Sequence, residues 1–177
     1  GDQAPFDKVS VSYIPEMASR ITALKNKEVD LITNVPPDQL STIEADSNLQ
    51  VASNVTPLFH VLIFNTQNEV MKNPKFRQAL SLAVDRDTLN EALWQGKAVV
   101  PSTHTYKQFG ELYMPELKTF EYDLEKAKKL LAESGYNGEE IRMDTSAVYY
   151  TNGLLAMQAV AEMWSNIGIK TRINVDD

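Results

Sequence analysis

Apolar and polar positions alternate over residues 8–14, where Val9, Val11 and Tyr13 stand against Ser10 and Ser12. A period of two predicts a half-buried strand. Pro15 suits the first position of a helix, and Met17, Ile21 and Leu24 then recur at the spacing of one helical face. Residues 29–33 form a short apolar run ended by Asn34-Val35-Pro36-Pro37. Because proline offers no N–H to a ladder, a strand there must stop and turn out. A short helix over 38–45 would place Leu40 and Ile43 on one face, and two further strands are expected at about 50–55 and 59–65.

The pattern then becomes helical. Over 74–85, Phe76, Ala79, Leu80 and Ala83 share one side of a helix. Asp87 offers a cap for a second helix that ends at Trp94, with Gly96 closing it. Residues 97–118 show no period and contain Pro101, Gly110 and Pro115, which predicts a long loop. Asp123 caps a third helix carrying Leu124, Ala127, Leu130 and Leu131 on one stripe, closed by Gly135. A strand over 141–147, a helix over 151–166 and a strand over 170–175 complete the chain. That order at that spacing is a βαβ unit and implies a parallel pair. The fold class is therefore α/β, with mixed sheets flanked by helices.

Composition narrows the chemistry. The 177 residues are 43% hydrophobic, enough for one domain or two small lobes with a core. The 17 basic residues are scattered among 24 acids, for a net charge of −7, and this argues against nucleic acid. Lys126, Lys128 and Lys129 are the one dense basic group, and they read as a solvated helix face beside Glu125 and Glu133. With no cysteine in the chain, disulfides and thiolate metal sites within it are excluded, although an oxidising compartment is compatible. No apolar run approaches the ~18 residues that cross a bilayer.

Several motifs in register carry a family resemblance. Phe64-Asn65-Thr66, Asn73-Pro74, Arg77 with Ala79-Leu80, Ala83 with Asp85-Arg86, and the closing Gly96 follow one another in order. Upstream stand Pro5 to Val9, Arg20 with Ala23-Leu24, Glu28-Val29-Asp30 and Pro36-Pro37. Downstream stand the helix from Tyr122 to Tyr136 and the Ile167-Gly168-Ile169 turn. This series resembles the family-5 extracellular solute-binding proteins, the substrate-capturing receptors of bacterial ABC importers. One departure is Lys27, where relatives usually carry Gly; a helix end there puts lysine in the left-handed region or closes differently.

The resemblance implies a periplasmic-binding-protein-like architecture, part of a receptor whose two lobes close on a ligand. Residues 1–58 would be the closing segment of the first lobe and residues 59–177 the incomplete first part of the second. The acidic partner for a peptide amino terminus would lie beyond Asp177. The implied ligand is an oligopeptide or dipeptide, the implied partner an ABC-transporter membrane permease, and the implied location the periplasm or cell surface. Nickel, haem or sugar on the same fold is the alternative ligand set, and a non-transport interaction domain is a second class of function. Unpaired sheet edges in an isolated segment would favour a homodimer.

His60 and His104, the two histidines, have no Cys or clustered carboxylates at ligand spacing, so neither a metal site nor a cofactor is expected. His60 reads as a sheet residue. In relatives the loop holding Thr103 and His104 faces the cleft between lobes, which makes both ligand candidates; polar loop residues are also ordinarily exposed. Tyr149, Tyr150 and Asn152 fall between a strand end and a helix start, where open α/β sheets bind ligands. The same residues also fit a capped helix with tyrosines on its rim. Asn34, Val35 and Pro36 end a strand near the implied cleft and equally suit a rigid turn. Trp94 and Trp164 fall on apolar stripes and are expected in the core, while Arg77 and Arg86 are expected to pair with Asp85 or Glu91. No strand–Ser–helix elbow or phosphate-cradling glycine loop is present, so no enzyme is predicted.

Overall fold

The computed structural model describes residues 5–54, 56, 58–101, 103–117, 121–147 and 149–176. The chain divides into two compact units, Gly1–Val35 with Gln39–Val51, and Pro36–Asp38 with Ala52–Asp177. The break after Val51 falls ahead of the 58/59 boundary expected from the sequence. A compact unit of this segment is not the same quantity as a lobe of a longer receptor.

In the smaller unit, α1 (Met17–Lys25) buries Ile21 and Ala23. Its end is a Schellman closure: the Glu28 N–H donates to the Ala23 carbonyl (2.8 Å) and the Lys27 N–H to that of Leu24 (3.0 Å). The motif needs a left-handed residue, and Lys27 adopts it with φ 61°. The chain follows the first of the two options its sequence allowed. Helix α2 (Pro37–Glu44) starts on the second proline, whose missing N–H costs a helix nothing at that position.

The larger unit is built on helices. A single turn, α3 (Glu69–Lys72), leads into α4 (Pro74–Leu82) and α5 (Arg86–Trp94). Asn73 caps α4 by accepting the Lys75 N–H, with Pro74 in the first turn. Helix α6 (Leu124–Glu133) is capped by Asp123, which accepts the Lys126 N–H as its sequence predicts. Helices α4 and α6 run antiparallel and are tied at both ends. Asn73 Nδ2 donates to the Ser134 carbonyl (2.8 Å), and the Asp123 N–H donates to that of Leu82 (3.0 Å). An ion pair between Lys75 and Glu133 (2.8 Å) adds to the first end and holds the Glu133 carboxyl below its usual range.

Strand β1 (Ile141–Ser146), helix α7 (Gly153–Ser165) and strand β2 (Thr171–Asp176) form the βαβ unit, with β1 and β2 parallel and Ile141 opposite Thr171. One core serves these elements. Phe76, Ala79, Leu80 and Ala127 are fully buried, and Ile141, Met143, Val160, Trp164 and Ile169 join them. The Trp164 indole N–H donates to the Leu80 carbonyl at 2.9 Å, so α7 is pinned to α4 by the polar atom that its burial would otherwise orphan.

Four expectations require correction. The strands expected over 8–14 and 29–33 and at about 50–55 and 59–65 do not form among the described residues; Val55 lies outside them. Val11 and Tyr13 are 92% and 90% exposed, and Ile63 is 87% exposed. A strand needs a partner for its N–H and C=O groups, and β1 and β2 bond to each other. The cap of α5 is Asp85 rather than Asp87: its carboxylate accepts the Thr88 N–H (3.0 Å) and hydroxyl (2.8 Å). Arg77 donates to the Met71 and Lys72 carbonyls, not to a carboxylate, and so closes the α3 turn. Trp94 is half-buried and outside the core that holds Trp164.

Candidate functional site

A run of aromatic rings crosses one region of the larger unit. Residues 59 and 60 are consecutive, and their rings meet different neighbours. Phe59 meets the loop after residue 100, with ring centres 6.2 Å from His104 and 5.4 Å from Tyr106; Phe109 lies 5.9 Å beyond Tyr106. His60 meets the other group. Its ring lies 5.3 Å from Trp94 and 5.5 Å from Tyr150, and Tyr149 is 4.6 Å beyond.

Each ring is placed by local backbone chemistry. Helix α5 delivers Trp94 at its last position and ends in two left-handed residues, Gln95 (φ 53°) and Gly96 (φ 68°). Asn90 then ties the exit down, its side chain exchanging two hydrogen bonds with the Ala98 backbone at 3.0 and 3.1 Å. The loop over 103–109 is anchored by buried Thr103 (3% exposed) and Tyr106, with a short 3₁₀ turn over Lys107–Leu112. Burial pushes the Tyr106 phenol above its ordinary pKa, so it remains a neutral hydrogen-bonding group. Partial burial between two rings pushes His60 below 6.5, which favours the uncharged imidazole at neutral pH.

The turn between β1 and α7 carries the last group. Asn152 is left-handed (φ 58°) and makes no side-chain cap; instead its Nδ2 donates to the Leu93 carbonyl at 2.6 Å. The Gly153 N–H donates to the Tyr150 carbonyl (3.0 Å), and a Cβ on Gly153 would lie 3.0 Å from that of Tyr150. Glycine is therefore what lets the tyrosine pair sit against the helix start.

Of the residues singled out in the sequence, Thr103, His104, Tyr149, Tyr150 and Asn152 all fall in this unit, on the segments that carry the rings. Asn34 and Val35 belong to the smaller unit. There Asn34 is exposed and left-handed (φ 55°), next to a Thr33 carbonyl that accepts from Arg20 Nη1 at 2.9 Å. Pro36 is half-buried and leads into α2. Sequence reasoning missed Phe59, His60, Trp94 and Tyr106. Phe59, His60 and Trp94 lie in strand-like or helical runs, which carry no mark that separates core from surface, whereas Tyr106 lies in the same aperiodic loop as Thr103 and His104, and that position was its available signal. A separate open hollow of about 250 Å³, lined by Glu69, Val70, Asn73, Ser134, Gly135, Tyr136 and Glu139, shares no residue with the rings.

Comparison with known proteins defines the class first. The whole chain superposes, at a TM-score of 0.80 and 27% identity, on 34% of the periplasmic binding protein DppA of Helicobacter pylori, solved with the peptide STSA. The bacterial extracellular solute-binding proteins, family 5 Middle, match residues 1–177, and the chain belongs to that family. Heme-binding protein A of Haemophilus influenzae is 31% identical over 96% of the chain and 31% of its own length. The nickel-binding protein NikA of Staphylococcus aureus is 28% identical over 97% of the chain and 34% of its own. The chain thus spans about a third of the relatives it matches.

Proposed function

We propose that this chain is the middle segment of a receptor that captures oligopeptides or dipeptides outside the cytoplasmic membrane and delivers them to an ABC-transporter permease. The observation that carries this reading is the superposition of the entire chain on a receptor solved with a peptide. In this reading residues 1–58 close one lobe and residues 59–177 open the other. No bond is made or broken. The ligand bridges the lobes, and its greater affinity for the closed form shifts the population toward it. Candidate contacts are Asn34, Val35 and Pro36 from one lobe and His104, Tyr149 and Tyr150 from the other. Thr103 and Asn152 support the second set: one is buried, and the other is bonded to Leu93.

The relatives' names favour a second reading, haem or nickel carriage on the same scaffold. His60 and His104 stand among the rings and would be the first residues to examine. Native mass spectrometry of the intact parent protein, purified without denaturation, separates the readings. Peptide masses released on gentle activation support peptide capture. A haem or nickel mass overturns it in favour of the second reading. A protein that stays empty in a peptide pool moves the function to an interaction domain.

A further inference from the structure

We infer that Trp94, His60, Tyr150 and Tyr149 form a side-chain subsite that takes the guanidinium of an arginine in the bound peptide, with Asn152 and Gly153 as positioning residues. The inference rests on the peptide reading above and names the side chain that this region selects.

The ring series runs through three segments far apart in sequence: the exit of α5, the stretch at residue 60, and the turn before α7. Its contacts are edge-on or tilted, with interplanar angles of 68° for Trp94–His60, 55° for His60–Tyr150 and 81° for Tyr149–Tyr150. In such pairs the edge of one ring lies on a face of the other, so the open π-surface is what solvent still reaches, and Tyr149 and Tyr150 remain 76% and 56% exposed. A π-face carries negative potential, and a guanidinium is planar, weakly hydrated and able to stack on it.

Charge favours the same occupant. The Glu91 carboxylate sits one helical turn before Trp94 and lies against Gly96, where an added Cβ would be 2.9 Å from its Oε1. Among the described residues, no lysine or arginine forms an ion pair with it. A cation stacked on Trp94 would therefore have a carboxylate within reach, on a chain whose net charge is −7. An aromatic guest could use the rings but not Glu91.

The wall is fixed before any ligand arrives. The Asn152–Leu93 bond ties the start of α7 to the end of α5, so the turn that carries Tyr149 and Tyr150 is held to the helix end that carries Trp94, with His60 in ring contact with both Trp94 and Tyr150. Left-handed, non-glycine residues stand at both junctions, Gln95 and Asn152. Two such residues flanking one surface feature mark a geometry that the fold imposes. A wall positioned in advance binds a flexible side chain with less ordering cost.

The test is calorimetry on the intact parent protein with four tripeptides that differ at one position, Ala, Phe, Glu or Arg. The position is varied in turn along the peptide. At one position the arginine peptide should bind roughly tenfold more tightly than the alanine peptide, as expected for a desolvated cation–π contact. Tyr150→Ala and Glu91→Gln should each bring the Arg/Ala ratio toward one, whatever they do to overall affinity. Asn152→Gly keeps the left-handed turn but loses the tie to Leu93; it should lower the same ratio while near-ultraviolet circular dichroism stays native. A Phe preference that survives Glu91→Gln overturns the guanidinium assignment in favour of an aromatic guest. An Arg/Ala ratio of one at every position, or one untouched by Tyr150→Ala, overturns the subsite. If no tripeptide binds at all, the peptide reading itself fails, and the subsite with it.

Discussion

Lys27 sits where a Schellman closure demands a left-handed residue, and it pays the Cβ–carbonyl crowding that glycine avoids. Lys27→Gly should therefore raise the unfolding free energy by about 1 kcal/mol, read as an upward shift in chemical-denaturation midpoint; an unchanged midpoint would mean the strain is relieved elsewhere. His60 makes a pH-dependent prediction. Its folded pKa lies below 6.5 because of partial burial, so the unfolded chain takes up the proton first as pH falls. Stability then decreases from about pH 6.5 downward and levels off below the folded value. Solvent at the exposed edge of the ring keeps the effect small. The melting temperature of His60→Gln should fall less than that of the native chain between pH 7.5 and 5, and parallel curves would refute the assignment. Ring contacts of this kind were not legible in advance. His60 and Trp94 approach each other across 34 positions of sequence, and no local pattern encodes that.

The helices were legible because a helix satisfies its own backbone. The 3.6-residue stripe at Phe76, Ala79, Leu80 and Ala83 had one physical outlet, burial, and the structure gives it. Asn73, Asp85 and Asp123 act as caps on the same local logic, and the choice of Asp85 over Asp87 turned on Thr88, which engages both carboxylate oxygens of Asp85. Strands follow another rule: alternation names a face, whereas pairing requires a second chain segment. So β1 and β2, which have each other, formed as read, while four other expected strands did not form among the described residues. Leu80 links α4 to α7 through its side chain and through the carbonyl that receives the Trp164 N–H. Leu80→Ala should cost roughly 3 kcal/mol, since the fully buried site has little room to collapse. Trp164→Phe should cost about 2 kcal/mol from lost packing and the orphaned indole bond. A loss under about 0.5 kcal/mol for either would show that this junction is not central to the core.

At the scale of the molecule, exposed apolar residues at 9, 11, 13, 31, 58, 61 and 63 describe surfaces suited to partner strands. A receptor about three times this length would supply them. We expect the isolated 177-residue chain to self-associate, visible as concentration-dependent sedimentation, and, under the two-lobe proposal, to show no measurable peptide affinity by itself. The central claim concerns the whole receptor, and the most direct measurement is titration of the intact parent protein with defined di- to pentapeptides. Saturable, one-to-one binding at micromolar concentrations or below, with haem and nickel giving no competing signal, is the predicted result. Tight haem or nickel binding in a protein that ignores every peptide would contradict it.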